Sequence, residues 1–267
     1  MESFEKFILT ATTANSWIFP DILNWAQNYE DLIKDAIECY EAGAAITHVH
    51  LPRDFKMASE IVAGIRDKCD VIIQAGMSSF PIEERQSDFE AKPDMLSVIS
   101  CHHAEHFTEA SVNVLHPLEE LEAYCLKCNE TGVKPEWEVW HTGSYWNLQF
   151  LIDKGILKGP HILTHFFNWP GGTWSPATPD EFFHRIKYMP ENCRYTVSTM
   201  GKEQHRIAYY AIINGGNIRV GTEDYPFISD GIPAKNNAEI VSNWVSLAKQ
   251  LGREIADPSE ARKILGL

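Results

Sequence analysis

Short β-branched and apolar runs alternate eight times with longer helix-like segments along this chain, and that alternation limits the fold more than any single residue does. The strand-like runs are Phe7 to Thr12, Thr47 to Leu51, Val71 to Gln74, Met95 to Ser100, Glu136 to Trp140, His161 to Phe167, Tyr195 to Thr199 and Asn217 to Gly221. Helix-like segments follow near 30–42, 55–68, 81–91, 117–131, 144–154, 179–188, 203–213 and 234–250. Glycines stand where helices should stop, at Gly43, Gly132 and Gly215-Gly216, and Pro117 and Pro179 stand where helices should start. Eight units in 267 residues (267/8) give about 33 residues each, the size of a minimal β/α unit. The expectation is an α/β fold, a (β/α)8 TIM barrel formed as one domain over residues 1–267, with residues 256–267 as an added C-terminal helix. A doubly wound open sheet uses the same alternation but seldom needs eight strands. Dinucleotide binding of that type is unsupported, because Thr10-Ala11-Thr12-Thr13-Ala14-Asn15 stands where a G-x-G-x-x-G would follow the first strand.

The charge balance narrows the partners. With 23 Lys and Arg against 37 Asp and Glu, the formal charge is −14. Such a surface repels phosphate backbones and anionic headgroups, so neither nucleic acid nor a membrane surface is expected as a partner. No stretch approaches the roughly 18 consecutive apolar residues of a membrane span, and Met1-Glu2-Ser3-Phe4-Glu5-Lys6 lacks the regions of a signal peptide. A cytoplasmic protein is expected. The six cysteines are too sparse for a disulfide scaffold. Cys125 and Cys128 form a C-x-x-C, but no second ligand pair follows at zinc-site spacing, so two partly buried helical thiols is the better reading.

In a TIM barrel the chemistry gathers at the C-terminal ends of the strands, so polar residues there carry information. On the second strand, His48-Val49-His50 places two imidazoles two residues apart, and the strand period points both to one face. On the eighth, Asn217-Ile218-Arg219-Val220-Gly221 runs on into Thr222-Glu223-Asp224. Strands eight, one and two are neighbours in a closed barrel. Glu223 can therefore complete a His, His, Glu metal site with His48 and His50 that leaves positions open for water or substrate. The bland alternative is a pair of hydrogen-bonded core histidines. Arg219 suits a carboxylate partner or an anionic ligand, and Asp224 can serve as a base beside it; a structural salt bridge is the alternative for both. Gly76-Met77-Ser78-Ser79 after the third strand and Pro170-Gly171-Gly172-Thr173 after the sixth are either anion-binding loops or tight turns. Cys101-His102-His103-Ala104-Glu105-His106 is rich in ligand types, yet contiguous residues in a loop need not converge.

Together these residues resemble the β-keto acid cleavage enzyme family. The likeness runs over nearly the whole chain: Phe7-Ile8-Leu9-Thr10-Ala11, Glu41-Ala42-Gly43-Ala44 ahead of His48-Val49-His50, Lys92-Pro93-Asp94-Met95, Val133-Lys134-Pro135-Glu136-Trp137-Glu138-Val139, Pro170-Gly171-Gly172 and Gly215 to Asp224. The resemblance implies a Zn2+-dependent exchange in which a β-keto acid and acetyl-CoA become acetoacetate and a new acyl-CoA. It assigns the metal to His48, His50 and Glu223, removal of the C2 proton to Asp224 assisted by Arg219, and substrate contact to Ser97, with Ser79 in the loop beside it. It also implies a homotetramer. The sequence departs from the family pattern in four places. Trp17 replaces the Glu that meets an amino group on the substrate, which points to an apolar or quaternary-ammonium side chain instead. An extra residue precedes Arg53, Gly76-Met77-Ser78-Ser79 replaces a Ser-Thr-Gly-Gly loop, and His141 replaces an acidic residue. Competing readings are a metal-dependent aldolase, lyase or hydrolase that does not use CoA, a non-haem Fe(II) site on the same three ligands, and a metabolite-binding barrel without turnover.

Overall fold

Strands buried on both faces need helices on both sides of an open sheet or closure into a barrel inside a ring of helices. The computed structural model, which describes residues 4–14, 28–105, 112–169 and 175–267, shows that closure. The barrel strands are β1 (Leu9–Thr12), β2 (Ile46–Val49), β3 (Ile72–Ala75), β4 (Met95–Ile99), β7 (Lys134–Val139), β8 (His161–Phe167), β9 (Cys193–Thr199) and β10 (Asn217–Gly221). They run parallel in the closed order β1-β10-β9-β8-β7-β4-β3-β2. The helices are α1 (Tyr29–Glu41), α2 (Phe55–Arg66), α3 (Gln86–Ala91), α4 (Leu118–Thr131), α5 (Gly143–Asp153), α6 (Pro179–Tyr188), α7 (Gln204–Ile213), α8 (Asn237–Gln250) and α9 (Pro258–Leu265). This is the (β/α)8 TIM barrel expected from the alternation.

The helix boundaries follow local chemistry. Asn28, Asp54, Thr178, Asn236 and Asp257 accept from backbone N–H groups as N-caps, and Asp257 and Glu260 form a reciprocal capping box. Gly132 ends α4 in the left-handed region at φ 76°, where a side chain would be strained. Three differences from the sequence reading stand out. The helix expected at 81–91 is a 3-10 turn over Ile82–Arg85 followed by α3, because Arg85 leaves helical geometry at φ −108°, ψ 18° and sends its guanidinium inward. Two short hairpins escaped notice, β5 (His103–Glu105) with β6 (Val112–Val114), and β11 (Phe227–Ser229) with β12 (Ile232–Pro233). Several strand ends differ by one or two residues; β2 stops at Val49, so His50 lies just beyond it.

Register and parity sort the barrel interior into layers. At the N-terminal end Ile8, Ile46, Ile72, Met95 and Ile162 form one apolar cluster with Ala261 and Leu265 of α9, so α9 stoppers that end. Residues of opposite parity, among them Leu9, Val49, Ile73, Val98, Trp137, Leu163, Val197 and Val220, pack outward against the helices. Toward the C-terminal end the inward positions turn polar: Thr12, His48, Gln74, Ser97, Glu136, Glu138, Thr164 and Arg219, all buried. Two buried arginines brace this end. Arg85 donates to the carbonyls of Ser97 at 2.5 Å and of Gly76, joining β3 to β4. Arg185 donates to those of Val139 (2.9 Å), Trp140 (2.8 Å) and Phe166 (2.8 Å), joining β7 to β8.

Candidate active site

Buried polar side chains need partners, and at the C-terminal mouth the partners are one another. Parity brings His48 and His50 together as expected, with ring centroids 5.3 Å apart and planes at 72°. The turn after β10 brings the carboxylate to them: His48 Nε2 lies 3.6 Å and His50 Nε2 3.5 Å from the oxygens of Glu223. Among the described residues this is the group of His, Cys, Asp and Glu that could hold a metal ion, its ligand atoms all within 4.8 Å of one another.

His48 and Glu223 are oriented by neighbours, of which Gln74 and Thr12 had not been singled out in the sequence. His48 Nδ1 donates to Gln74 Oε1 at 2.9 Å, which turns the Nε2 lone pair toward Glu223. Burial, helped by the Arg219 charge, holds the His48 pKa well below its ordinary value, so the ring is neutral and able to ligate. Glu223 Oε2 accepts from Thr12 Oγ1 at 2.6 Å and from Arg219 at 2.5 Å, leaving Oε1 toward His50. Burial opposes ionisation of Glu223, but Arg219, His50 and His48 outweigh it and hold the carboxyl well below the usual range. Two glycines make the geometry possible. A Cβ on Gly76 would stand 2.4 Å from His50 Cδ2 and 2.6 Å from His48 Nε2. Gly221, at φ +145°, lets β10 turn against the Thr12 carbonyl, which a Cβ would meet at 2.2 Å.

Arg219 links this group to Asp224. It donates to Asp224 Oδ1 at 2.9 Å and Oδ2 at 3.2 Å, and Ser198 Oγ donates to Oδ2 at 3.0 Å. Burial raises the fully enclosed Asp224 carboxyl to about 7 against the pull of Arg219, with the Glu223 charge adding to the rise. Glu136 and Glu138 on β7 complete the buried acids. Burial and the Glu138 charge push Glu136 up to about 8, and burial raises Glu138 although Arg219 opposes it. Gln74 Nε2 donates to Glu136 at 3.0 Å and Trp140 Nε1 to Glu138 at 3.0 Å. Opposite the charged half stands an aromatic half. His103 stacks on Trp140 at 3.6 Å, Trp140 on Phe166 at 4.5 Å, and the Arg219 guanidinium lies 5.3 Å from the Phe166 centroid.

The remaining sequence candidates take the following places. Ser97 is wholly buried and donates to the Ala75 carbonyl at 3.2 Å. Ser79 stands half-buried in the loop after β3. Arg53 points outward to Glu84 and lies over the Phe80 ring. His141 accepts from the Gly143 N–H at 3.0 Å, a local role at the start of α5. Cys101 belongs to the apolar cluster with Trp140 and Phe166, and Cys125 and Cys128 are buried free thiols whose pKa values burial lifts to about 12. Trp17, His106 and the 170–173 loop lie outside the described residues.

The model of the beta-keto acid cleavage enzyme family matches residues 27–267. The chain belongs to the β-keto acid cleavage enzyme family. A relative from Acetoanaerobium sticklandii, the 3-keto-5-aminohexanoate cleavage enzyme, is 35% identical across 98% of this chain and 99% of its own. Another, the 3-dehydrocarnitine:acetyl-CoA trimethylamine transferase of Rhizobium meliloti, is 25% identical across 89% of this chain and 88% of its own. Among solved structures, ObcA with oxaloacetate superposes at a TM-score of 0.71 over 90% of this chain and 66% of that one; at 15% identity it speaks to the fold alone. As a member of this family the chain is an enzyme of β-keto acid cleavage, and no helix among the described residues is long and apolar enough to cross a membrane.

Proposed function

We propose that this enzyme exchanges acyl groups between a β-keto acid and acetyl-CoA, giving acetoacetate and a new acyl-CoA, with Zn2+ held by His48, His50 and Glu223. The observation that carries the reading is the convergence of these three ligands beside the Arg219–Asp224 pair in one buried mouth. The donor set fits a divalent cation: a neutral imidazole fixed through its far nitrogen, a second imidazole, and a carboxylate kept ionised and pinned by Thr12 and Arg219. When bound, such a cation would act as a Lewis acid toward the substrate and so would acidify C2.

The protein's own groups supply the rest. Asp224 takes the C2 proton, and its two oxygens are held by Arg219 and Ser198, so the base is fixed in orientation before substrate arrives. Arg219 balances the charge on Asp224 and Glu223 together and steadies a developing negative charge beside them. The aromatic half of the mouth excludes water and gives the substrate side chain an apolar wall. An apolar or quaternary-ammonium side chain is the proposed substrate class, in keeping with Trp17 and with a relative named for 3-dehydrocarnitine. The same reading places the enzyme in the cytoplasm as a homotetramer of single-domain subunits, and light scattering on the purified protein tests the assembly.

The test joins metal analysis to turnover. Protein quantified for zinc is assayed with acetyl-CoA and a panel of β-keto acids, scored for acetoacetate and new acyl-CoA. His48→Ala and Glu223→Ala should each lose the metal, whereas Asp224→Asn should keep it and lose turnover by roughly 100-fold or more. Near-normal turnover in Asp224→Asn would remove it as the base. Trp17→Glu should shift preference toward amine-bearing keto acids, and an unchanged profile would take Trp17 out of the pocket. Cleavage of a keto acid without acetyl-CoA would move the enzyme to a CoA-independent lyase.

A further inference from the structure

A groove between α7 and α8, outside the barrel mouth, has a volume of about 590 Å³. Its position is informative. Lys202 and Glu203 come directly after β9, the seventh barrel strand, and Ile228, Ser229 and Asp230 sit on the hairpin after β10, the eighth. In TIM barrels phosphate sites recur at the loops after strands seven and eight. The groove also adjoins the catalytic turn, since Gly201 N–H donates to the Asp224 carbonyl at 3.3 Å. We propose that this groove seats the phosphorylated adenosine end of the coenzyme A thioester, whose arm then passes over the rim to Asp224. This rests on the acyl-CoA reading above.

The lining suits that headgroup. Lys202 and Arg206 are exposed cations that line it, neither paired with a carboxylate among the described residues, on a chain whose formal charge is −14. A cation left unpaired among so many acids is available for an anion. The first turn of α7 borders the groove without a side-chain cap and without an acidic residue inside it, so its N–H groups add to the positive end. Tyr209 also lines the groove, is 39% exposed and meets Trp244 edge-on, which leaves ring surface for a purine, while Leu247 and Asn243 of α8 add an apolar side chain and an amide to the lining. Two carboxylates also border the groove. Glu203 accepts from Asn168 Nδ2 at 3.3 Å and is turned toward the β8 side, while Asp230 stands on the exposed hairpin and tempers the affinity.

The experiment compares acetyl-CoA with S-acetylpantetheine, which carries the same thioester without phosphates or adenine. Lys202→Ala combined with Arg206→Ala should raise KM for acetyl-CoA by about ten-fold or more. The KM for the keto acid and the rate with S-acetylpantetheine should stay within about two-fold of wild type, while Asp230→Asn should lower the KM for acetyl-CoA. Equal losses with both thioesters, or no change with either, would overturn the groove. If the wild type transfers no acyl group at all, the proposed function fails, and calorimetry with CoA alone still decides the site. Binding that weakens in the double variant upholds it; equal binding in both proteins, or none, overturns it.

Discussion

A single methyl group placed on Gly76 would occupy space now filled by both candidate metal-binding imidazoles, at 2.4 Å from one ring and 2.6 Å from the other. The rings cannot retreat far, because His48 is held by Gln74 behind it and Arg85 clamps the Gly76 carbonyl. Gly76→Ala should therefore weaken zinc binding by at least about ten-fold with the fold intact, read by chelator competition and circular dichroism. Gln74→Ala should cost about ten- to a hundred-fold in the same assay by freeing the His48 ring. Unchanged affinity in both would mean that these imidazoles do not hold the ion. The convergence of the three candidate ligands was legible, since H-x-H parity and the position of Glu223 need only the strand period and strand adjacency. Their supports were not. Thr12, Gln74 and Ser198 are ordinary polar residues near strand ends, and only the barrel register shows that they face Glu223, His48 and Asp224 respectively.

At the scale of elements, the barrel is held by side chains that reach from a helix back to the strands. Arg185 is wholly buried and serves Val139, Trp140 and Phe166 carbonyls and the Glu181 carboxylate at once. Arg185→Met should cost about 3–5 kcal/mol in denaturant unfolding, because acceptors and a carboxylate are left without their donor. Arg185→Lys should recover only part, since one ammonium cannot span the planar fork; a loss below about 1 kcal/mol would show the carbonyls rehydrated. A second tie joins α1 to α8, where Asn237 donates to Asp35 at 2.7 Å and also meets Thr222. Burial raises Asp35 from 3.8 to about 6. The folded state thus holds the proton more tightly than the unfolded one, so its contribution is full below pH 4 and is lost as pH rises through about 6. The ceiling is (6 − 3.8) × 1.36, about 3 kcal/mol. Asp35→Asn should remove that slope and be the more stable protein at pH 7, and parallel stability curves for the two proteins would refute the tie. Alternation revealed the eight strands, but neither hairpin. The strands β11 and β12 have three and two residues, too few for a period to register, and β5 lies in a run whose ligand-rich composition drew attention to metal chemistry instead of pairing.

Over the whole molecule, the interior changes character along one axis, from an apolar end closed by α9 to a polar end that holds the site. Layers with few shared partners should respond to substitution separately. Leu265 packs at the closed end with Met95 and Ile162, and truncating such a side chain leaves a cavity that costs about 2–5 kcal/mol. Leu265→Ala should lower unfolding stability by that amount while zinc affinity and KM for the keto acid stay unchanged. Gln74→Ala, one layer toward the mouth, should do the reverse, with a large effect on metal and a small one on the apo protein. In the double variant the two stability losses should add to within about 0.5 kcal/mol. A coupling above about 1 kcal/mol would mean that the barrel transmits strain between its ends, and α9 would then bear on catalysis as well as on closure. The expectation of independence rests on the register: Ile46 and Ile72 form a layer between α9 and the His48–Gln74 pair, so a full tier of side chains separates the two substitutions.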